Sequence, residues 1–104
     1  MGFFSNLFGG GSNNDVLSTM VNNGAYLVDV RSESEFAQGS VKGAVNIPLD
    51  KLTNQLAKFK NKEQVVVFCR SGMRSEQAKS ILNQYGITNV TNGGTWQNVA
   101  KLLS

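Results

Sequence analysis

The chain has 104 residues, enough for one packed domain and too few for two. Forty per cent of its residues are hydrophobic and 16% are charged, which excludes a disordered chain, and a single cysteine excludes an internal disulfide. The net charge is only +3, and the absence of histidine removes the common zinc motifs and every nucleophile that relies on an imidazole base.

The lysines (Lys42, Lys51, Lys58, Lys60, Lys62, Lys79, Lys101) are scattered, with one loose cluster around Lys58–Lys62. They read as a solvated surface, so no nucleic acid is expected as a partner; the weak positive field suits small anionic substrates. No run approaches the roughly 18 apolar residues that span a bilayer. A fold that relies on packing alone, with one cysteine, suits a reducing compartment, and a cytoplasmic location is expected.

Met1-Gly2-Phe3-Phe4-Ser5-Asn6-Leu7-Phe8 sets three phenylalanines and a leucine before a glycine hinge. The segment lacks the basic start and long apolar run of a signal peptide, and Asn6 stands where myristoylation wants Ser or Thr. Such a tip can fold back on the domain, touch a partner or graze a membrane; membrane contact is the weakest of these readings for so short a segment. Gly9-Gly10-Gly11-Ser12-Asn13-Asn14 reads as a flexible linker. Residues 1–13 are therefore assigned to tip and linker, and residues 14–104 to the domain.

Within the domain, Val16, Leu17, Met20 and Val21 share one helical face, with Asn14 or Asp15 as N-cap and Gly24 as stop. Tyr26–Val30 reads as a strand. Ser32-Glu33-Ser34-Glu35 is a capping-box pattern that predicts a short helix. Ala44–Ile47 is a short strand closed by Pro48, and Leu52, Leu56 and Phe59 mark another helix. Val65-Val66-Val67-Phe68, continuously apolar, predicts a strand buried on both faces. Ala78, Ile81, Leu82 and Tyr85 line a helix ending at Gly86. Asn89–Thr91 is a last short strand, and Trp96, Val99 and Leu103 predict a closing helix. This alternation predicts an α/β fold, three layers α/β/α, with a central, mostly parallel sheet of four to five strands.

In open α/β sheets, ligands sit beyond the carboxyl ends of the strands. The most apolar strand ends there at Cys69-Arg70-Ser71-Gly72-Met73-Arg74-Ser75, and a helix follows. Free N–H groups at the helix start, the helix dipole, and Arg70 and Arg74 all favour thiolate over thiol. Gly72 lets the amides converge as an anion-binding nest. Taken alone, a cysteine after a strand also fits a small buried hydrophobe, and loop arginines also fit surface solvation. Their coincidence at one strand-to-helix junction favours an anionic, accessible sulfur. Met73 reads as packing over the loop, and Arg31 and Glu35 as an ion pair near a helix start. Trp96 reads as core more than as pocket wall.

Cys69 through Arg74 resembles the Cys-x4-Arg active-site loop of rhodanese-like sulfurtransferases, and Ser75 after it is also common there. Asp29-Val30-Arg31, Glu35-Phe36, Gly39 and Gly43-Ala44-Val45-Asn46-Ile47-Pro48 are similar to the family's upstream signature. Val90, Gly93-Gly94 and Trp96 are similar to its closing segment. Ser40 departs from the pattern, standing where the family usually has a histidine regarded as structural. Related phosphatases carry Cys-x5-Arg; the shorter loop here implies a cradle for sulfane sulfur, and no Asp or Glu between Cys69 and Ser75 could protonate a leaving alkoxide.

The resemblance implies a sulfurtransferase that carries sulfur as a persulfide on Cys69. Arg70, Ser71, Gly72, Met73 and Arg74 would form the substrate-binding loop, with both arginines receiving an anionic donor such as thiosulfate. The acceptor would be cyanide or a thiol, and neither cofactor nor metal is required. A protein sulfur acceptor is a further partner if the chain acts as a persulfide carrier in a protein-to-protein relay. A non-catalytic binding module is the third reading, disfavoured by the intact Cys69 and both arginines.

Overall fold

Val65–Cys69, strand β3, is apolar and buried at every position. Such a strand needs cover on both faces, and the fold supplies it. The structure is a computed structural model that describes the backbone of residues 10–104 and the side chains of residues 14–104. Strands β1 (Tyr26–Asp29), β2 (Val45–Asn46) and β4 (Val90–Thr95) join β3 in one parallel sheet of order β2-β1-β3-β4. Helices α1 (Gly10–Asn22), α2 (Glu33–Ala37), α3 (Met73–Gln84) and α4 (Trp96–Leu102) complete the three-layer α/β/α arrangement.

Alternation along β3 sorts the core into two halves. Val65, Val67 and Cys69 pack with Val28, Ala78 and Leu82 on the side of α3. Val66 and Phe68 pack with Leu17, Val21 and Val99 on the side of α1 and α4. Register is regular from Val65↔Val90 to Val67↔Asn92, then slips: Cys69 faces Thr95. Strand β4 thus takes one extra residue at Gly93-Gly94, a bulge that bends it toward the Cys69 loop.

Several elements differ from the sequence expectation. Helix α1 already runs through Gly10–Asn14, so neither Asn14 nor Asp15 is its N-cap, and the boundary expected at residue 14 falls inside it. Gly and Asn are weak helix formers and read locally as a linker, but docking of Leu17 and Val21 on the sheet sustains the helix through them. The apolar tip and Gly9 lie outside the described residues. The helix expected around Leu52–Phe59 is two 3₁₀ turns, Leu49–Asn54 and Leu56–Phe59. Gln55, at φ −125°, breaks between them, and the tighter turns still bury Leu52 and Phe59. Strand β2 is only two residues long, and β4 extends past Thr91 to Thr95.

Candidate active site

Strand β3 delivers Cys69 as its last residue, and α3 begins at Met73. Only Arg70, Ser71 and Gly72 lie between. To turn so sharply, Gly72 takes φ +95° as the residue before α3, a left-handed conformation that a side chain disfavours. That twist aims its N–H at the cysteine: Gly72 N lies 3.0 Å from Cys69 Sγ. Ser75, in the first turn of α3, places its Oγ 3.4 Å from the same sulfur.

These contacts shift the sulfur toward its thiolate form. Burial pushes the Cys69 thiol up, but the Ser75 hydroxyl and the backbone N–H groups of Ser75, Gly72 and Ser71 outweigh it. The thiol is held below its ordinary value of 9.0. The amide-lined cradle expected from sequence is present. The expected accessibility is not: Cys69 has no exposed surface, because the loop and the first turn of α3 close over it.

Arg70 and Ser71 are exposed at the rim, and Gly72 is half-buried. Met73 does not pack over the loop. It is 75% exposed, since its position on α3 faces outward, where it borders an open groove of about 640 Å³ with Leu49 and Ile81.

Arg74 is not free at the rim either. Its guanidinium grips Glu35 on α2 with two bonds, Nη1–Oε1 at 2.8 Å and Nη2–Oε2 at 3.1 Å. Those bonds and the Ser32 N–H hold the Glu35 carboxyl down at about 2, and the same carboxylate pushes Arg74 up. Glu35 also completes a capping box with Ser32, so one side chain both starts α2 and fastens it to α3.

Arg31 therefore does not pair with Glu35. It turns back to Asp29, the last residue of β1, 2.7 Å away, in a buried bidentate pair, and donates also to Gly39 O at 2.6 Å. Ser40 donates to Asp29 Oδ2 at 2.7 Å, so a hydroxyl holds this turn where the family usually has an imidazole. The Trp96 ring lies under the Arg31 guanidinium, 5.1 Å from its centroid, and packs against the α1/α4 core.

Sequence reasoning missed Asn92. From the β4 bulge its Oδ1 lies 2.7 Å from Ser75 Oγ and 2.9 Å from Gly94 N, while its Nδ2 donates to Gly72 O at 3.1 Å. A polar residue one position before Gly-Gly at a strand end was the only available signal. Among the described residues, no cluster of three or more His, Cys, Asp or Glu side chains is placed to hold a metal ion. Among them, too, no helix is long and apolar enough to cross a membrane.

A strand-loop-helix cradle around a single sulfur defines a class, and comparison with known proteins identifies it. Residues 13–95 match the model of the rhodanese-like domain. Thiosulfate sulfurtransferase PspE of Escherichia coli K12 is 40% identical over 76 residues, covering 70% of this chain and 72% of that protein. Human thiosulfate:glutathione sulfurtransferase is 33% identical over 92 residues, covering 75% and 80% respectively. The solved structure of the human single-domain sulfurtransferase TSTD1 is similar with a TM-score of 0.70 and 31% identity, covering 86% of this chain and 93% of that one. The chain belongs to the rhodanese-like domain family, and within it to the sulfurtransferase class.

Proposed function

We propose that this chain moves a sulfane sulfur from an anionic donor such as thiosulfate to a thiophilic acceptor, cyanide or a thiol, through a persulfide on Cys69. The observation that carries this reading is the Gly72 N–H, 3.0 Å from a sulfur held below the usual thiol range. The names of the two relatives support thiosulfate as donor and a thiol as acceptor.

In the first half-reaction the Cys69 thiolate attacks the outer sulfur of thiosulfate. A new S–S bond forms, the old one breaks, and its electron pair leaves with sulfite. The negative charge then sits on the outer persulfide sulfur, where the amides of the Arg70–Arg74 loop receive it as an oxyanion hole would. In the second half-reaction cyanide or a thiolate attacks that outer sulfur, and the S–S bond pair returns to Cys69 as thiolate.

Arg70, exposed beside the cysteine, draws in the donor. Arg74, engaged with Glu35, fixes the loop and adds positive charge behind the sulfur. Because the resting sulfur is enclosed, donor entry requires the exposed loop residues Arg70 and Ser71 to move aside. A lone functional thiol of this kind works in a reducing compartment, consistent with the cytoplasm.

Intact-mass measurement after incubation with thiosulfate tests the proposal. A gain of one sulfur atom that dithiothreitol reverses is expected, with double-displacement kinetics in the cyanide assay. Cys69→Ser should neither gain sulfur nor turn over; equal turnover by that variant would overturn the reading.

A further inference from the structure

The hydrogen bonds around Ser75 contain more acceptors than protons. Ser75 Oγ lies 2.7 Å from Asn92 Oδ1, 3.0 Å from Gly72 O and 3.4 Å from Cys69 Sγ, yet a hydroxyl carries a single proton. The orientation of the Asn92 amide is fixed by its other partners. Gly94 N–H can only donate, so the atom it meets at 2.9 Å is the carbonyl oxygen. Gly72 O and the Glu76 carboxylate can only accept, so the atom they meet at 3.1 and 3.0 Å is the amide nitrogen.

It follows that the 2.7 Å contact between Ser75 Oγ and Asn92 Oδ1 needs the Ser75 proton. Gly72 O, the other candidate, already receives Asn92 Nδ2 and the Glu76 N–H. While the proton points at Asn92, Ser75 turns a lone pair to the sulfur. That arrangement suits a thiol, which can donate its proton to that lone pair. It does not suit a thiolate, which needs the proton turned to itself.

We propose that Asn92 is a positioning residue for sulfur transfer: its carbonyl parks the Ser75 hydroxyl proton while the Cys69 sulfur is neutral and yields it when that sulfur becomes a thiolate. Asn92 does not touch the reacting atoms. It acts through Ser75, and it favours the state in which Cys69 Sγ carries no charge. When the proton swings to the sulfur, Asn92 Oδ1 keeps the Gly94 N–H, so neither end of the switch leaves a buried group without a partner.

This inference deepens the persulfide reading of Cys69, and its test does not depend on sulfur transfer. The thiolate is titrated by its ultraviolet absorbance in the reduced protein with no donor present. The charged groups around the sulfur stay the same throughout: Arg70 beside it, Arg74 and Glu76 on α3, Glu35 on α2, and Asp29 and Arg31 at the end of β1. Removing the competing acceptor in Asn92→Ala frees the Ser75 proton for the thiolate, so the titration midpoint should fall by about one pH unit. In the Ser75→Ala background the same substitution should move the midpoint by less than a third of that.

A midpoint that rises or stays put in Asn92→Ala, or that falls equally without Ser75, would overturn the proposal. Should Asn92→Ala fail to fold, Asn92→Leu serves instead. It keeps the side-chain volume and removes the same acceptor, so the midpoint should again fall, and by at least twofold more in pH units with Ser75 present than without it. An equal fall in both backgrounds would refute the switch. Loss of the sulfur mass gain with the midpoint cycle intact would fault the persulfide reading alone.

Discussion

At Gly93 a single added carbon would lie 2.8 Å from Val99 Cγ2 and 2.9 Å from Val66 Cγ1. Those are methyl groups of buried residues on α4 and β3, with little freedom to yield. Gly93→Ala is therefore expected to cost about 1–3 kcal/mol through overpacking. Gly72→Ala differs in kind: the nearest atom, Gly94 Cα, would be at an ordinary 3.6 Å, and the strain lies in the backbone at φ +95°. Its cost should be about 1–2 kcal/mol, and it should turn the Gly72 N–H away from the sulfur. Urea denaturation should find Gly93→Ala destabilised with sulfur loading retained in the folded protein, while Gly72→Ala slows loading out of proportion to its stability loss.

The contrast also marks what the sequence made legible. Cys69, Gly72 and Arg74 lie within six consecutive residues, so their chemistry is readable as a string. Asn92 meets Ser75 across 17 residues, and Glu35 meets Arg74 across 39, and nothing local announces either contact. The Arg31–Glu35 pair failed for a different reason: Asp29, nearer still in sequence and buried at the end of β1, takes Arg31, while Glu35 is claimed by the distant Arg74.

Among the elements, those whose signal is chemical came through best. The capping box at Ser32–Glu35 gave α2, and the unbroken apolar run gave β3. Elements defined only by apolar spacing were ambiguous, because Leu52, Leu56 and Phe59 reach the core from 3₁₀ turns as well as from an α-helix. The start of α1 was hidden for the opposite reason: docking, not propensity, extends it through Gly and Asn residues.

Helix α2 is five residues long and buries no side chain of its own, so its place depends on Glu35. The carboxyl of Glu35 sits below its unfolded value of 4.5, at about 2. A depressed acid stabilises the fold fully above its unfolded value and loses that contribution as pH falls through the folded one. Wild-type stability should thus decline between about pH 4.5 and pH 2 from this group, by no more than about 1 kcal/mol for a partly exposed pair. Glu35→Gln should remove that part of the decline, read from urea midpoints across the same range. It should also loosen Arg74 at neutral pH.

At the scale of the whole molecule, the sheet separates two half-cores that share β3. Phe68, fully buried, is the largest side chain facing α1 and α4. Phe68→Ala is expected to cost about 3–5 kcal/mol, a large part of the roughly 5–15 kcal/mol that holds a domain together. Thermal denaturation should place its midpoint far below that of the wild type, with a transition that stays cooperative because both half-cores lose the same strand.

Asn22, at the end of α1, donates to Leu102 O at 2.8 Å and accepts from Ser104 N at 3.0 Å. Asn22 precedes β1, whereas Cys69 closes β3, and in a parallel sheet those are opposite poles. An anchor attached beyond Ser104 would hold the protein to a sensor surface with its sulfur pole outward, leaving the approach of small anions unobstructed.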